Sequence, residues 1–207
     1  MEVSGSILSE NNLYSNIEFY NNTDIDYIHL DIMDGRFVPN TFISKEELPK
    51  VISKCNKNID VHLMVYNPKE YIEILKNYNI SYITIHYEIE NCIDYIKMIK
   101  ENNIKVGISI KPMTKVNEIV ALLPFVDLVL VMSVNPGFSG QKFIKKTKDK
   151  VNRLKKEITR KCLNTKISVD GGINKDVLKY VKNADILVSA TYLLNNKDNI
   201  NILKNYK

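Results

Sequence analysis

Little in this chain of 207 residues points to an oxidising or a membrane setting. The cysteines number three, Cys55, Cys92 and Cys162. They are odd in number, far apart and without metal-ligand spacing, so reduced thiols are expected and a disulfide framework is excluded. No apolar run approaches the roughly 20 residues that a membrane helix needs. The opening MEVSGSIL enters a strand-like stretch at once, so no signal or transit peptide is expected. The lysines, which set a net charge of +5 and a pI of 8.9, lack an interleaved aromatic motif. Their densest stretch, KFIKKTKDKVNRLKKEITRK (142–161), reads as a helix with a solvated basic face. It would attract anionic small molecules mildly and is no nucleic-acid surface. The expectation is a cytoplasmic protein with neither a nucleic-acid nor a membrane partner.

What is present is an alternation. Hydrophobic residues make up 44% and charged residues 26%, as in a globular chain with a sizeable core. Short β-branched runs fall at 3–8, 26–33, 59–65, 81–87, 105–110, 127–134, 166–172 and 184–190. Between and after them lie stretches of helix length, at 10–22, 44–55, 68–79, 91–102, 114–123, 142–161, 173–183 and 197–206. Most carry apolar residues at three- and four-residue spacing. Pro68 and Thr114 are placed as helix-start signals. Near-continuous apolar strands separated by helices imply a parallel sheet covered on both faces. Eight such units predict an α/β fold, a closed (β/α)8 TIM barrel forming one catalytic domain over 1–207. An open doubly wound sheet is the alternative, but no G-x-G-x-x-G follows the first strand. No linker or short repeat divides the chain.

In such a barrel, chemistry sits at the C-terminal strand ends. The second run ends in HLDIMDGRFVPN (29–40), which puts His29, Asp31 and Met33 on one side of a strand. His62 and Met64 form a like row on the next strand. Asp170 closes the seventh run before Gly171 and Gly172, His86 closes the fourth and Asn135 follows the sixth. One histidine alone reads as a hydrogen-bonded core residue. Two histidines and two aspartates at matching ends read as a site for one divalent cation, and mixed N/O ligation suits zinc, iron(II), manganese or cobalt. Asp34, beside Gly35, reads as a turn or cap, and His86 as a satisfied strand-end histidine. The loop NPGFSGQ (135–141), with Gly137 and Gly140, and the pair Gly171-Gly172 offer backbone N–H groups to an anion. Met33, Met64 and Met132 read equally as core filling or as a polarisable lining of the mouth.

Four segments, HLDIMDGRFVPN, DVHLMVYNP (60–68), MSVNPGFSGQKF (132–143) and SVDGGIN (168–174), resemble the signatures of the ribulose-phosphate 3-epimerase family. The likeness runs from GSILS (5–9) to ILVSATYL (186–193). It implies that His29, Asp31, His62 and Asp170 bind the metal and that Asp31 and Asp170 are the acid and base. It also implies that Ser6 and His62 contact substrate and that Met33, Met64 and Met132 crowd the reacting carbons. Phosphate would be held by Gly137, Phe138, Ser139 and Gly140, by Gly171 and Gly172, and by Ala190 and Thr191. The implied reaction, in the pentose phosphate pathway, interconverts D-ribulose 5-phosphate and D-xylulose 5-phosphate through an enediolate. Epimerisation next to a ketone calls for this set independently, with a Lewis acid and carboxylates on two faces. A six-carbon ketose phosphate such as allulose 6-phosphate is the rival substrate. A decarboxylase of the same barrel type would need an Asp-x-Lys pair, absent from VHLMV, and a non-catalytic sugar-phosphate-binding barrel is the binding-protein alternative. Family members often self-associate, so a homo-oligomer is compatible, though no stripe marks an interface. The chain departs from the family at Ser139, at Ala190-Thr191, where Gly-Ser is usual, and at Gly5, where proline is usual. The first two are expected to bear on phosphate affinity and the third to matter little.

Overall fold

The computed structural model describes residues 1–9 and 12–206. The chain opens with β1 (Glu2–Ser6), α1 (Leu13–Asn21), β2 (Tyr27–Asp34), β3 (Thr41–Phe42) and α2 (Leu48–Ile52). It continues through β4 (Asn58–Met64), α3 (Lys69–Leu75), β5 (Ile80–His86), α4 (Cys92–Glu101), β6 (Lys105–Ile110) and α5 (Val116–Ile119). The last part holds β7 (Leu128–Met132), α6 (Thr147–Arg160), β8 (Lys166–Asp170), β9 (Ile186–Ser189), α7 (Thr191–Asn195) and α8 (Asp198–Lys204). All strands but β3 pair in parallel, and β1 pairs with both β9 and β2, so the sheet closes on itself as the expected barrel. β3 is a short antiparallel addition to β2, with Met33 opposite Phe42.

Strand parity splits the core into two environments. One set of side chains, including Ile28, Leu30, Ile32, Val61, Leu63, Ile83 and Ile85, packs under the helices in one large cluster. The other set faces the barrel axis, which is unusually polar for this architecture. A floor of Tyr27, Tyr82, Leu128 and Ile186 is apolar, but Ser4, His29, Asp60, Thr84 and Ser168 lie buried among the inward residues. Thus the helix-facing side supplies most of the apolar burial, and the inward side is free to carry chemistry.

The helices follow the sequence pattern with four differences. α6 buries Thr147, Val151, Leu154 and Ile158 and leaves Lys148 and Lys156 exposed, as the basic stretch required, while Lys150 turns back onto the Lys111 and Thr114 carbonyls. The reading of 10–22 becomes α1, capped by the Asn12 side chain on the Tyr14 N–H, while residues 10 and 11 lie outside the described residues. At 173–183 the expected helix is replaced by successive i→i+3 turns, with a 3-10 turn at Leu178–Tyr180. Asn174 turns its side chain onto the Asp176 N–H and competes with a helical start there. Thr114 does not cap α5, because its hydroxyl bonds to Glu88; Glu118 reaches back to the Lys115 N–H instead. The unforeseen α7 starts directly after β9. Among the described residues no helix is long and apolar enough to cross a membrane.

Gly5 is less neutral than expected. A Cβ there would lie 2.4 Å from Ile25 Cδ1 and 2.6 Å from Tyr20 Cε1. Tyr20 is fully buried and donates its hydroxyl to the Ser6 carbonyl at 3.1 Å, so the ring has taken the space that a larger residue would need. Gly5→Ala should therefore destabilise the fold by about 1–3 kcal/mol through overpacking. Urea denaturation measures this, and Tyr20→Leu in the same background should recover part of the loss.

Candidate active site

Parallel register brings the predicted residues together at the C-terminal mouth. Asp31 on β2 lies beside His62 on β4, and Met132 on β7 beside Asp170 on β8. One ligand atom from each of His29, Asp31, His62 and Asp170 falls within 4.8 Å of the other three. Asp31 Oδ1 stands 3.5 Å from His29 Nε2 and 3.3 Å from His62 Nδ1. Asp31 Oδ2 accepts a 2.7 Å hydrogen bond from the Ser6 hydroxyl, so the predicted substrate-contacting serine also steadies this carboxylate.

The hydrogen bonds behind this cluster test whether it suits a cation. His29 Nδ1 lies 2.8 Å from Asp60 Oδ2, which also accepts from the Ser4 hydroxyl. The carboxylate fixes a proton on Nδ1, so the neutral ring carries its lone pair on Nε2. That Nε2 is buried and has no hydrogen-bond partner. An orphaned acceptor facing two carboxylates fits a divalent ion, and an imidazole backed by a carboxylate is the usual support for one.

Electrostatics separates the two carboxylates. Burial alone would raise Asp31, but His29 and His62 hold it well below the usual carboxylate range. Asp170 is pushed up to about 6, first by burial and then by the charge on Asp31. Burial would lower His29, yet Asp60 and Asp31 outweigh it and raise the imidazole. Burial lowers His86 to about 4. Glu88 is held down at about 2, because bonds from His86, Thr114 and the Lys111 N–H overcome its burial.

Above the cluster lies a cavity of about 570 Å³. Asp31, Asp170, Ser6, Met33, Met64 and Met132 line its inner end. Gly137, Phe138, Ser139, Gly140, Gly171, Gly172, Ala190 and Thr191 line its outer part. His29 and His62 are fully buried behind it. Gly172 has φ +62°, and a Cβ there would sit 2.7 Å from the Gln141 carbonyl oxygen, so only glycine lets the two loops approach. Ser133 donates to the carbonyls of Asp170 and Gly171 at 2.6 and 2.5 Å, and Asn40 to that of Gly137 at 3.3 Å. Ser139 is not among the residues with positive φ, and Ala190 has φ −110° and ψ −92°, so neither departure stands in the left-handed region that favours glycine.

Asp34 is structural, as expected: its carboxylate accepts the Arg36, Phe37 and Tyr66 N–H groups. His86 is satisfied on both nitrogens, by His62 and by Glu88, each at 2.9 Å. Asn135 lines the cavity away from the ligand cluster. Two acids escaped the sequence reading. Asp60 could have been found, since D-x-H on β4 mirrors H-x-D on β2 and the register sets Asp60 beside His29. Glu88 lies past the end of β5, where no periodicity points to it.

A profile of the ribulose-phosphate 3 epimerase family matches residues 2–194. The chain is 42% identical over 168 residues to ribulose-phosphate 3-epimerase of Treponema pallidum, covering 80% of this chain and 77% of that one. It is 36% identical over 201 residues to the Helicobacter pylori (strain J99) protein of the same name, covering 96% and 93%. Among solved structures, a mutant tryptophan synthase alpha-subunit from Pyrococcus furiosus shares the fold at a TM-score of 0.71 and 13% identity, covering 99% of this chain and 98% of that one. With its signature residues gathered at one barrel mouth, the chain belongs to the ribulose-phosphate 3-epimerase family.

Proposed function

We propose that the protein interconverts D-ribulose 5-phosphate and D-xylulose 5-phosphate by two-base proton transfer at C3, with a divalent cation held by His29, Asp31, His62 and Asp170. The observation that carries this reading is the convergence of two histidines and two carboxylates, from β2, β4 and β8, on one point at the cavity floor. When bound, the cation would supply Lewis-acid stabilisation of the negative charge that proton removal leaves on the substrate, worth several kcal/mol. Zinc, iron(II), manganese and cobalt all suit the donor set.

The chain's own residues divide the remaining work. Asp31, steadied by the Ser6 hydroxyl, removes the C3 proton. Asp170, on the far side of the mouth and held toward its protonated form, delivers a proton to the opposite face. Met33, Met64 and Met132, each nearly inaccessible, exclude water from the anion between them. The phosphate lies at the outer end, against the loops 135–141 and 171–174 and the start of α7. Loops at the ends of the last strands with a short extra helix are a common phosphate cradle in this architecture. The same reading takes residues 1–207 as one catalytic domain. It acts in the cytoplasm on a sugar phosphate, without nucleic-acid or membrane partners, and a homo-oligomer is compatible with it.

Stripping the cation with a strong chelator should abolish turnover and leave most of the helical circular dichroism signal, since the apolar core stands apart from the site. Full activity in a verified metal-free sample would refute the cation's role. Converting Ala190-Thr191 to Gly-Ser should change KM more than kcat, because the phosphate does not react. A change confined to kcat would displace the phosphate from this end.

The mechanism itself is tested by isotope exchange. Asp170→Asn should stop conversion yet let Asp31 remove and return the C3 proton of ribulose 5-phosphate. In deuterated water this variant should place deuterium at C3 while forming little xylulose 5-phosphate, provided the proton on Asp31 exchanges with solvent before its return. Asp31→Asn should exchange the xylulose epimer alone. Metal content is measured in both. Interconversion near the wild-type rate in either metal-loaded variant would mean that a base is wrongly assigned.

A further inference from the structure

Glu88 lies two residues beyond the end of β5 and turns its carboxylate back toward the barrel. Its Oε1 accepts the Lys111 N–H at 2.8 Å and the Thr114 hydroxyl. Its Oε2 faces His86 Nδ1 at 2.9 Å. The turn that supplies those donors is itself pinned, because Lys150 Nζ on α6 donates to the Lys111 carbonyl at 2.7 Å and the Thr114 carbonyl at 2.5 Å. An ionised carboxylate only accepts, so His86 must carry hydrogen on Nδ1. In the neutral ring Nε2 is then an acceptor. That atom lies 2.9 Å from His62 Nε2, and two lone pairs cannot share this contact, so the proton between the rings belongs to His62. His62 Nδ1, the atom that faces Asp31, is left free of the proton that Nε2 holds.

We propose that Glu88 is a positioning residue that acts through His86 to hold the His62 proton on Nε2, keeping Nδ1 open as a donor to the divalent cation. This rests on the metal reading above. Asp60 does the same for His29 in one step, with the nitrogens exchanged: it binds Nδ1 and frees Nε2. The two imidazoles thus present opposite nitrogens to one point, each set by an acid outside the ligand cluster.

Glu88→Gln separates this role from a structural one. The Lys111 backbone N–H is a fixed donor, so the Gln amide must offer its oxygen there and its NH2 to His86. His86 Nδ1 would then have to accept, its proton would move to Nε2, and His62 Nε2 would become the acceptor. A neutral His62 would hold its proton on Nδ1, in the cation's place. Glu88→Ala leaves His86 without a demand, since water can serve it either way. Cobalt(II) titration should therefore show binding weakened about 10–100-fold in the Gln variant and less in the Ala variant. Chemical denaturation should rank their stabilities the other way, since Gln fills the site and Ala does not.

The chain holds only three histidines, so long-range proton–nitrogen NMR of the metal-free protein at about pH 8 can assign every ring nitrogen. The wild type should carry hydrogen on His86 Nδ1 and His62 Nε2, and Glu88→Gln should move it from His86 Nδ1 to Nε2. An unchanged pattern in the Gln variant, or cobalt binding weaker in Ala than in Gln, would overturn the relay. Wild-type protein that takes up no cobalt would instead overturn the metal reading, and the NMR pattern distinguishes the two failures.

Discussion

Asp31 is only 3% exposed, yet it is kept ionised at the end of a buried strand, and the site is organised around that charge. An isolated carboxylate in such a place would take up a proton. Here the neighbouring strand brings His62 alongside, Ser6 donates from the strand on the other side, and His29 stands two residues back on the same face. The compensation comes from three adjacent strands, so it exists only once β1, β2 and β4 have paired. The cluster is therefore not a local feature: β1 must pair with β2 before Ser6 can reach Asp31, and Asp170 on β8 joins it only when β9 pairs with β1 and the sheet closes.

The polar barrel axis is the second consequence. The site continues inward through His29 to Asp60 and Ser4, so the inward face of β1, β2 and β4 cannot be filled with the branched apolar side chains usual in this fold. Apolar packing is concentrated between strands and helices instead. A stable scaffold and an expensive polar interior coexist because strand parity assigns them to opposite faces of the same residues' backbone. The outer half of the cavity is built differently. Backbone supplies its wall, held by Ser133, Asn40 and a close approach at Gly172.

Much of this was legible in the chain alone. The alternation of β-branched runs with amphipathic segments determined the barrel, because parity and helical spacing are local properties that any parallel closed sheet must express. H-x-D at 29–31, His62 and Asp170 were visible as a set because polar groups at the ends of apolar strands demand compensation. Tertiary structure alone decided which residues supply it from a distance. Asp60 matters because register sets it beside His29, and Glu88 because a turn anchored by Lys150 folds back toward His86. The same competition removed Thr114 from its expected cap, since its hydroxyl has a charged acceptor across the loop. It also converted 173–183 from a helix to turns, and it made Gly5 necessary once Tyr20 had filled the space beside it. Periodicity records what each segment does with its own neighbours; only the closed barrel determines which side chains from separate strands must share a proton, a charge or a volume.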